Sequence, residues 1–245
     1  MSGLFPLTVA GATSRRAGHQ LVGPVDLTLG GEGVTVVIGP NGSGKTTLIN
    51  LVSGALGATS GEIRLGDLRL TGLRRDQIAR AGVARTFQLV RILPSLSLTE
   101  NVMITAVFGH KAHWGDAARH VANEALELVG LSARAHMAAG DLTYIDQKRL
   151  ELARALAAEP EILLLDEWLA GLNPTELAEG VALIRKLHQG GLTILMVEHI
   201  IDAVRALCPR VVVMNSGQLI ADEATDTALA DPRVVSAYLG EDVNA

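Results

Sequence analysis

The chain has 245 residues, 48% of them hydrophobic and only 3% aromatic, so it can bury a sizeable aliphatic core in one large α/β domain or two small ones. Its net charge of −5 argues against the broad basic face that nucleic-acid binding needs, and its single Cys208 excludes a disulfide framework within the chain. No apolar run approaches the ~20 residues that span a bilayer, and Met1–Ala10 lacks the basic start and apolar length of a secretion signal. A cytosolic chain is expected, with any membrane role running through a partner.

Leu4–Val9 and Gly23–Leu29 read as early strands, and Gly30-Gly31 as a turn before the buried strand Val34–Ile38. The next stretch, Gly39-Pro40-Asn41-Gly42-Ser43-Gly44-Lys45-Thr46-Thr47, fits G-x-x-x-x-G-K-[ST] and runs into the helical pattern Thr47–Val52. Strand, glycine loop and helix in that order make a P-loop. Its glycines let backbone N–H groups turn inward around a polyphosphate, and the helix dipole adds to the attraction. Lys45 is expected to reach the β- and γ-phosphates, and Thr46 to offer its hydroxyl to Mg²⁺. Gly61–Leu65 reads as a further strand that ends in a Gly66-Asp67 turn.

From Ser97 to Pro160 the pattern turns helical, with apolar spacing in Glu124–Val129 and Arg149–Ala158. Ile162–Leu165 is a continuous apolar run, as in a central parallel strand covered on both faces, and Leu192–Val197 and Val211–Met214 are of the same kind. The helix-like Thr175–His188 lies between the first two. The first of these runs ends in Asp166-Glu167. A carboxylate at that position can hold Mg²⁺ opposite the P-loop, which makes Asp166 the metal-side candidate. Glu167 would then polarise the attacking water.

In this order the motifs resemble the ATP-binding-cassette (ABC) family of ATPases over nearly the whole chain. Arg85-Thr86-Phe87-Gln88 looks like the family's glutamine loop, and Leu142–Leu156 stands in the place of its signature and signature helix. Ala170-Gly171-Leu172-Asn173 is similar to its D-loop, and Val197-Glu198-His199 to its switch histidine. The resemblance implies an α/β P-loop NTPase core of ABC type with a parallel sheet, an N-terminal antiparallel β subdomain and an inserted helical subdomain. All of 1–245 is then one domain: about 1–88 and 161–222 form the nucleotide-binding core, about 89–160 the helical part and about 223–245 a tail. It also implies ATP and Mg²⁺ as cofactors and a site closed between two cassettes. Gln88 would bind Mg²⁺ and report the γ-phosphate, His199 would contact that phosphate from the far side, and Thr143 would reach a nucleotide held by the partner.

Three departures stand out. The signature normally reads Leu-Ser-Gly-Gly-Gln, or Leu-Ser-Tyr-Gly-Gln in one subgroup, whereas this chain has Leu142-Thr143-Tyr144-Ile145-Asp146. Ile145 is expected to resist a left-handed backbone, and Asp146 to turn a negative charge toward the partner's phosphate. Trp168 replaces the usual proline after Glu167. The aromatic that stacks on adenine is missing, and Arg16, near His19, stands in its place. Within the family, Arg85–Arg91 with Leu98–Val102, and the tail Val235–Asp242, look like the ATP-binding subunits of branched-chain amino acid importers. That branch implies a cytoplasmic membrane-face location, transmembrane permease subunits, a second and different ABC ATPase subunit, and indirectly a solute-binding protein. The alternatives are a non-transport cytosolic ABC ATPase and a signature-degenerate regulatory subunit.

Overall fold

A computed structural model of the protein describes residues 6–30 and 34–242. The chain opens with β1 (Leu7–Arg16) and β2 (His19–Leu29), which pair antiparallel with register shifts after Val9 and Ala12. Both strands run longer than the sequence pattern indicated, because bulges interrupt the alternation of buried and exposed residues. The strand expected from Leu4 begins outside the described residues, as does the second half of the Gly30-Gly31 turn.

β3 (Thr35–Ile38) leads through the glycine loop into α1 (Lys45–Val52). β4 (Ser60–Leu65) pairs with β1 and with the two-residue β5 (Leu68–Arg69). The resulting antiparallel sheet has the order β2-β1-β4-β5. α2 (Arg75–Arg80) and β6 (Val83–Arg85) return the chain to the main sheet.

The helical part holds α3 (Leu98–Phe108), α4 (Gly115–Leu128) and α5 (Tyr144–Ala157). Ser97 and Glu100 form a reciprocal capping box at the start of α3. Then follow β7 (Ile162–Asp166), α6 (Pro174–Gln189), β8 (Thr193–Val197), α7 (Ile201–Leu207), β9 (Arg210–Asn215) and β10 (Gln218–Ala224). α8 (Thr225–Ala230) and α9 (Pro232–Asp242) complete the described chain. β10 runs two residues past the boundary expected at 222, since Glu223 and Ala224 still pair with Val211 and Arg210.

The second sheet has the order β10-β9-β3-β8-β7-β6, parallel throughout except for β10. Alternate residues of its central strands enter two cores. Leu163, Leu165 and Met196 pack toward the helical side, and Ile162, Leu164 and Leu195 toward α1 and the antiparallel sheet. With both faces apolar, the aliphatic pattern of β7 does not by itself fix its register. A one-residue slip would carry the Asp166 carboxylate into the core without its partners, at a cost of several kcal/mol. The strand's polar end therefore helps to hold it in place.

Candidate active site

The P-loop is shaped by close approach. Gly39 (φ 148°) and Gly44 (φ 103°) have left-handed backbones, and a Cβ added there would lie 2.1 Å from the Met214 carbonyl and 2.7 Å from Val22 Cγ2. Only glycine fits. The turn after β9 fastens the loop to β2: Gly217 donates its N–H to the Ser43 carbonyl at 2.9 Å, and its own carbonyl accepts from Gly23 at 2.7 Å. Lys45, the first residue of α1, is buried and donates Nζ hydrogen bonds to the carbonyls of Gly39 (2.7 Å) and Pro40 (2.8 Å). The ammonium is thus held inside the loop. Arg16 and His19 face each other at the exposed tip of the β1–β2 hairpin, whose Val22 is the residue that packs on Gly44.

β7 ends in Asp166, and Glu167 follows it. Asp166 is 2% exposed; the Thr46 hydroxyl donates to its Oδ1 at 3.4 Å, and Arg85 Nη2 reaches its Oδ2 at 3.4 Å. Burial pushes the Asp166 carboxyl up, and the Arg85 guanidinium draws it back toward ionisation. Arg85 is itself oriented by Asn50 Oδ1 (2.8 Å) and Ser53 Oγ (2.9 Å), both of which project from α1 or its end. Glu167 turns out of the strand with φ 51°, a left-handed backbone that costs a non-glycine residue energy and is common at working sites. Its N–H donates to the Val197 carbonyl at 3.0 Å. Gln88 Nε2 donates to Glu167 Oε2 at 2.9 Å, although the two residues are 79 positions apart.

β8 lies beside β7, with Val197 opposite Asp166, so Glu198 and His199 emerge next to the two acids. His199 is exposed. Glu198 is fully buried and accepts N–H bonds from Leu169 (2.9 Å) and His199 (3.2 Å), so it fixes both the segment after Glu167 and the backbone of the histidine. Desolvation pushes its carboxyl up, and those N–H groups oppose the push. Glu198 and Arg85 were not singled out for a role in the sequence. The available signal was a charged residue closing an otherwise apolar strand in each case.

The signature region departs from expectation. Asp146 does not face outward: it is 6% exposed, and its Oδ2 accepts from Arg134 Nη1 at 2.6 Å and from the Thr143 hydroxyl at 2.8 Å. The Arg134 hydrogen bond is the main cause that holds its carboxyl below the ordinary carboxylate range. The charge is neutralised within the chain. The Thr143 hydroxyl is spent in the process, because its single proton goes to Asp146. Ile145 sits within α5 and is absent from the left-handed backbones of the described residues, so the expected conflict with φ > 0 does not arise. It lines a cavity of about 240 Å³ with Trp168, Gly180 and Leu183.

The glutamine loop is tied to α5 and α3. Glu151, 4% exposed, accepts from the N–H groups of Phe87 (3.3 Å) and Arg91 (2.9 Å), while Asn101, fully buried, accepts from Leu93 N–H and donates to the Leu93, Leu96 and Ser97 carbonyls. The Arg85 and Arg91 guanidinium groups both lie over the Phe87 ring, at 4.6 and 4.1 Å from its centre. Beside it opens a groove of about 440 Å³, bounded by α2, α3 and α5 and lined by Ala79, Ile104, Phe108 and Arg154 among others. In the sequence, the apolar residues around Val90–Leu98 are candidates for a groove that receives a partner helix. Leu98 is core instead, Leu93 and Leu96 do not line the groove, and its apolar wall is shared by Ile104 and Phe108 of α3 with Ala79 of α2, Val83 and Ala84 of β6 and Ala155 of α5.

The P-loop, Asp166, Glu167 and Gln88 therefore form one connected network, with His199 at the neighbouring strand end. Thr143 is exposed, with its hydroxyl donating to Asp146 of α5. Thr46 and Asp166 present hard oxygens side by side, the donor chemistry that Mg²⁺ takes. Among the described residues no group of three or more His, Cys, Asp or Glu could hold a metal.

Comparison with known proteins bears on the family and the fold. Residues 22–170 match the family described as ABC transporter. The high-affinity branched-chain amino acid transport ATP-binding protein LivG of Escherichia coli K12 is 39% identical over 250 aligned residues, covering 96% of this chain and 98% of LivG. Among solved structures, the ADP conformation of MJ1267, an ATP-binding cassette of an ABC transporter, superposes with a TM-score of 0.87. It is 28% identical, and the match covers 96% of this chain and 99% of MJ1267. The dimeric cassette MJ0796 in a post-hydrolysis state with ADP and Pi superposes at 0.79 with 25% identity, covering 89% and 98%. With a P-loop closed on Lys45 and two acids at the facing strand end, the chain belongs to the ABC transporter family, as one of its ATP-hydrolysing cassettes.

Proposed function

We propose that this cassette is the motor subunit of an importer for branched-chain or related amino acids. It would sit at the cytoplasmic face of the membrane through permease subunits and pair with a second, different cassette. The observation that carries the motor role is the Gln88–Glu167 hydrogen bond, which joins the catalytic carboxylate to a loop anchored on the helical part by Glu151 and Asn101. The likeness to LivG supports the solute class. Among the described residues no helix is long and apolar enough to cross a membrane.

In this reading the P-loop N–H groups and Lys45 bind the β- and γ-phosphates of ATP, and Arg16 stacks on the base. Mg²⁺ held by Thr46, Asp166 and the Gln88 amide oxygen would neutralise charge on those phosphates. Glu167 accepts the proton of the attacking water, and His199 contacts the γ-phosphate. The chemistry is mostly positioning and charge stabilisation. Affinity purification of the tagged chain from native membranes, with mass spectrometry, tests the assembly. Two permease-type membrane chains and a second cassette are expected; recovery of the chain alone, or with soluble proteins only, would defeat the proposal.

The groove beside Phe87 is the proposed seat of a permease helix. Phe108 is 64% exposed, so a charge there is tolerated by the fold. Phe108→Asp is expected to leave basal ATP hydrolysis within about twofold while cutting coupled transport at least tenfold. Normal transport by this variant would place the contact elsewhere.

Asymmetry of the two-cassette site rests on Asp146. Because it consumes the Thr143 hydroxyl, the chain has little to donate to a nucleotide on its partner, so the competent site is the one built on Lys45 and Glu167. The isolated chain is expected to be mainly monomeric and slow. The double change Ile145→Gly with Asp146→Gln frees the hydroxyl and should raise the rate of the isolated protein several-fold, about what one or two recovered hydrogen bonds supply. Brisk turnover by a purified wild-type homodimer would refute the asymmetry.

A further inference from the structure

Lys148 is a buried ammonium that the site described above does not use. It stands on α5, 3% exposed, and donates to two backbone carbonyls of the segment after the catalytic acid: Trp168 at 2.9 Å and Ala170 at 2.6 Å. The contact is returned. Trp168, 2% exposed, donates its indole Nε1–H to the Lys148 carbonyl at 3.3 Å. The Tyr144 ring covers the ammonium, with Nζ 5.1 Å from the ring centre. Gly180 of α6 makes room for the far side of the indole, since a Cβ there would lie 2.7 Å from Leu169 Cδ2 and 3.2 Å from Trp168 Cζ3.

The backbone polar groups around Glu167 are thus nearly all assigned. The Glu167 N–H goes to Val197, its carbonyl accepts from Ala170, the Leu169 N–H goes to Glu198, and the Trp168 and Ala170 carbonyls go to Lys148. A segment with a left-handed residue at its head needs such restraint, because a strained backbone persists only where its surroundings over-determine it. Taking an ammonium out of water is costly, and a purely space-filling role would be served better by Met or Leu. What the charge supplies is short, directional bonds to two fixed carbonyls.

We infer that Lys148 is a positioning residue for hydrolysis: with Trp168 it locks the start of the signature helix to the Glu167–Ala170 segment and so sets where the Glu167 carboxylate points. This rests on the reading of Glu167 as the catalytic base. It makes the signature helix and the acid one rigid unit, so that movement of either is felt by the other. Neither residue is among those that contact the P-loop, so nucleotide affinity is not part of its role.

The test uses the full-length chain and measures MgATP dissociation constant and kcat for Lys148→Met, Lys148→Arg, Trp168→Phe and Glu167→Gln. Lys148→Met is expected to bind MgATP within twofold of wild type and to lose at least tenfold in kcat, the scale of a slightly misplaced catalytic group. Lys148→Arg keeps the charge and the donors and should recover more than half of the wild-type kcat. Trp168→Phe keeps the ring, loses one hydrogen bond and should lower kcat about threefold. Wild-type kcat in Lys148→Met beside an inactive Glu167→Gln would overturn the inference and leave the base assignment standing. Loss of nucleotide binding together with kcat, or an arginine variant no better than methionine, would also overturn it. Wild-type activity in Glu167→Gln would overturn both. If Lys148→Met does not fold, Trp168→Phe decides: unchanged kcat there removes the clamp.

Discussion

Glu167→Gln is expected to bind MgATP as tightly as wild type and to hydrolyse it about a thousandfold more slowly, within the range that general-base catalysis supplies. The amide keeps the shape of the carboxylate and loses its basicity. It can still meet Gln88, whose own amide can accept or donate, so the loop geometry that depends on the 2.9 Å contact survives. The Glu167 carboxylate bonds the Gln88 amide, and the substitution leaves the P-loop itself unchanged, which is why binding and turnover should separate. A nucleotide-trapped pair with the partner cassette is the companion observation. Measurement of single-turnover hydrolysis beside equilibrium binding checks both; normal turnover would show that another group takes the proton.

Lys45→Ala is expected to fail one step earlier. The ammonium is held by the Gly39 and Pro40 carbonyls at 2.7 and 2.8 Å inside a loop whose glycines admit no Cβ. Each charge-assisted hydrogen bond to phosphate is worth roughly 1.5–3 kcal/mol, so losing the contacts to β- and γ-oxygens should weaken ATP binding about a hundredfold or more. Hydrolysis then disappears at millimolar ATP. Removing a buried side chain that crosses the loop also leaves the two carbonyls without that donor, so thermal stability should fall by a few degrees. Calorimetric titration with MgATP reads the first effect directly, and wild-type affinity would sink the role of Lys45.

Much of this site is written locally. The P-loop follows from glycine spacing between an apolar strand and a helix, and Asp166 and Glu167 follow from a four-residue aliphatic run that ends in two acids. Those signals are short-range, and the backbone has few ways to satisfy them. β6 was harder to see: three residues after a glycine carry too little periodicity, and the strand exists because Val83, Ala84 and Arg85 pair with Ile162, Leu163 and Leu164 far along the chain. α7 and α8 are short, and their helical spacing is brief.

The misreadings at the signature have the same origin. In sequence, Asp146 looks like a charge aimed at an anion, because its neighbours in the motif face the nucleotide. Nothing local reveals that Arg134, twelve residues earlier, folds back to within 2.6 Å of it. Ile145 looks strained only if its position needs a left-handed backbone, and the helix begins early enough that it does not. Trp168 in place of proline looks disruptive until Gly180 and Lys148 are seen to receive it. Local chemistry shows which groups are present, and long-range packing decides which way they point.

Hydrolysis at this cassette is proposed to drive solute entry. Its most direct test is uptake of radiolabelled leucine, isoleucine and valine by cells in which the chromosomal copy is replaced by wild type, Lys45→Ala or Glu167→Gln, at equal protein level. Saturable uptake of at least one of these solutes is expected with wild type, and its loss, by tenfold or more, with both variants. Uptake that is unchanged in both variants, with the chain present in the membrane fraction, would contradict it.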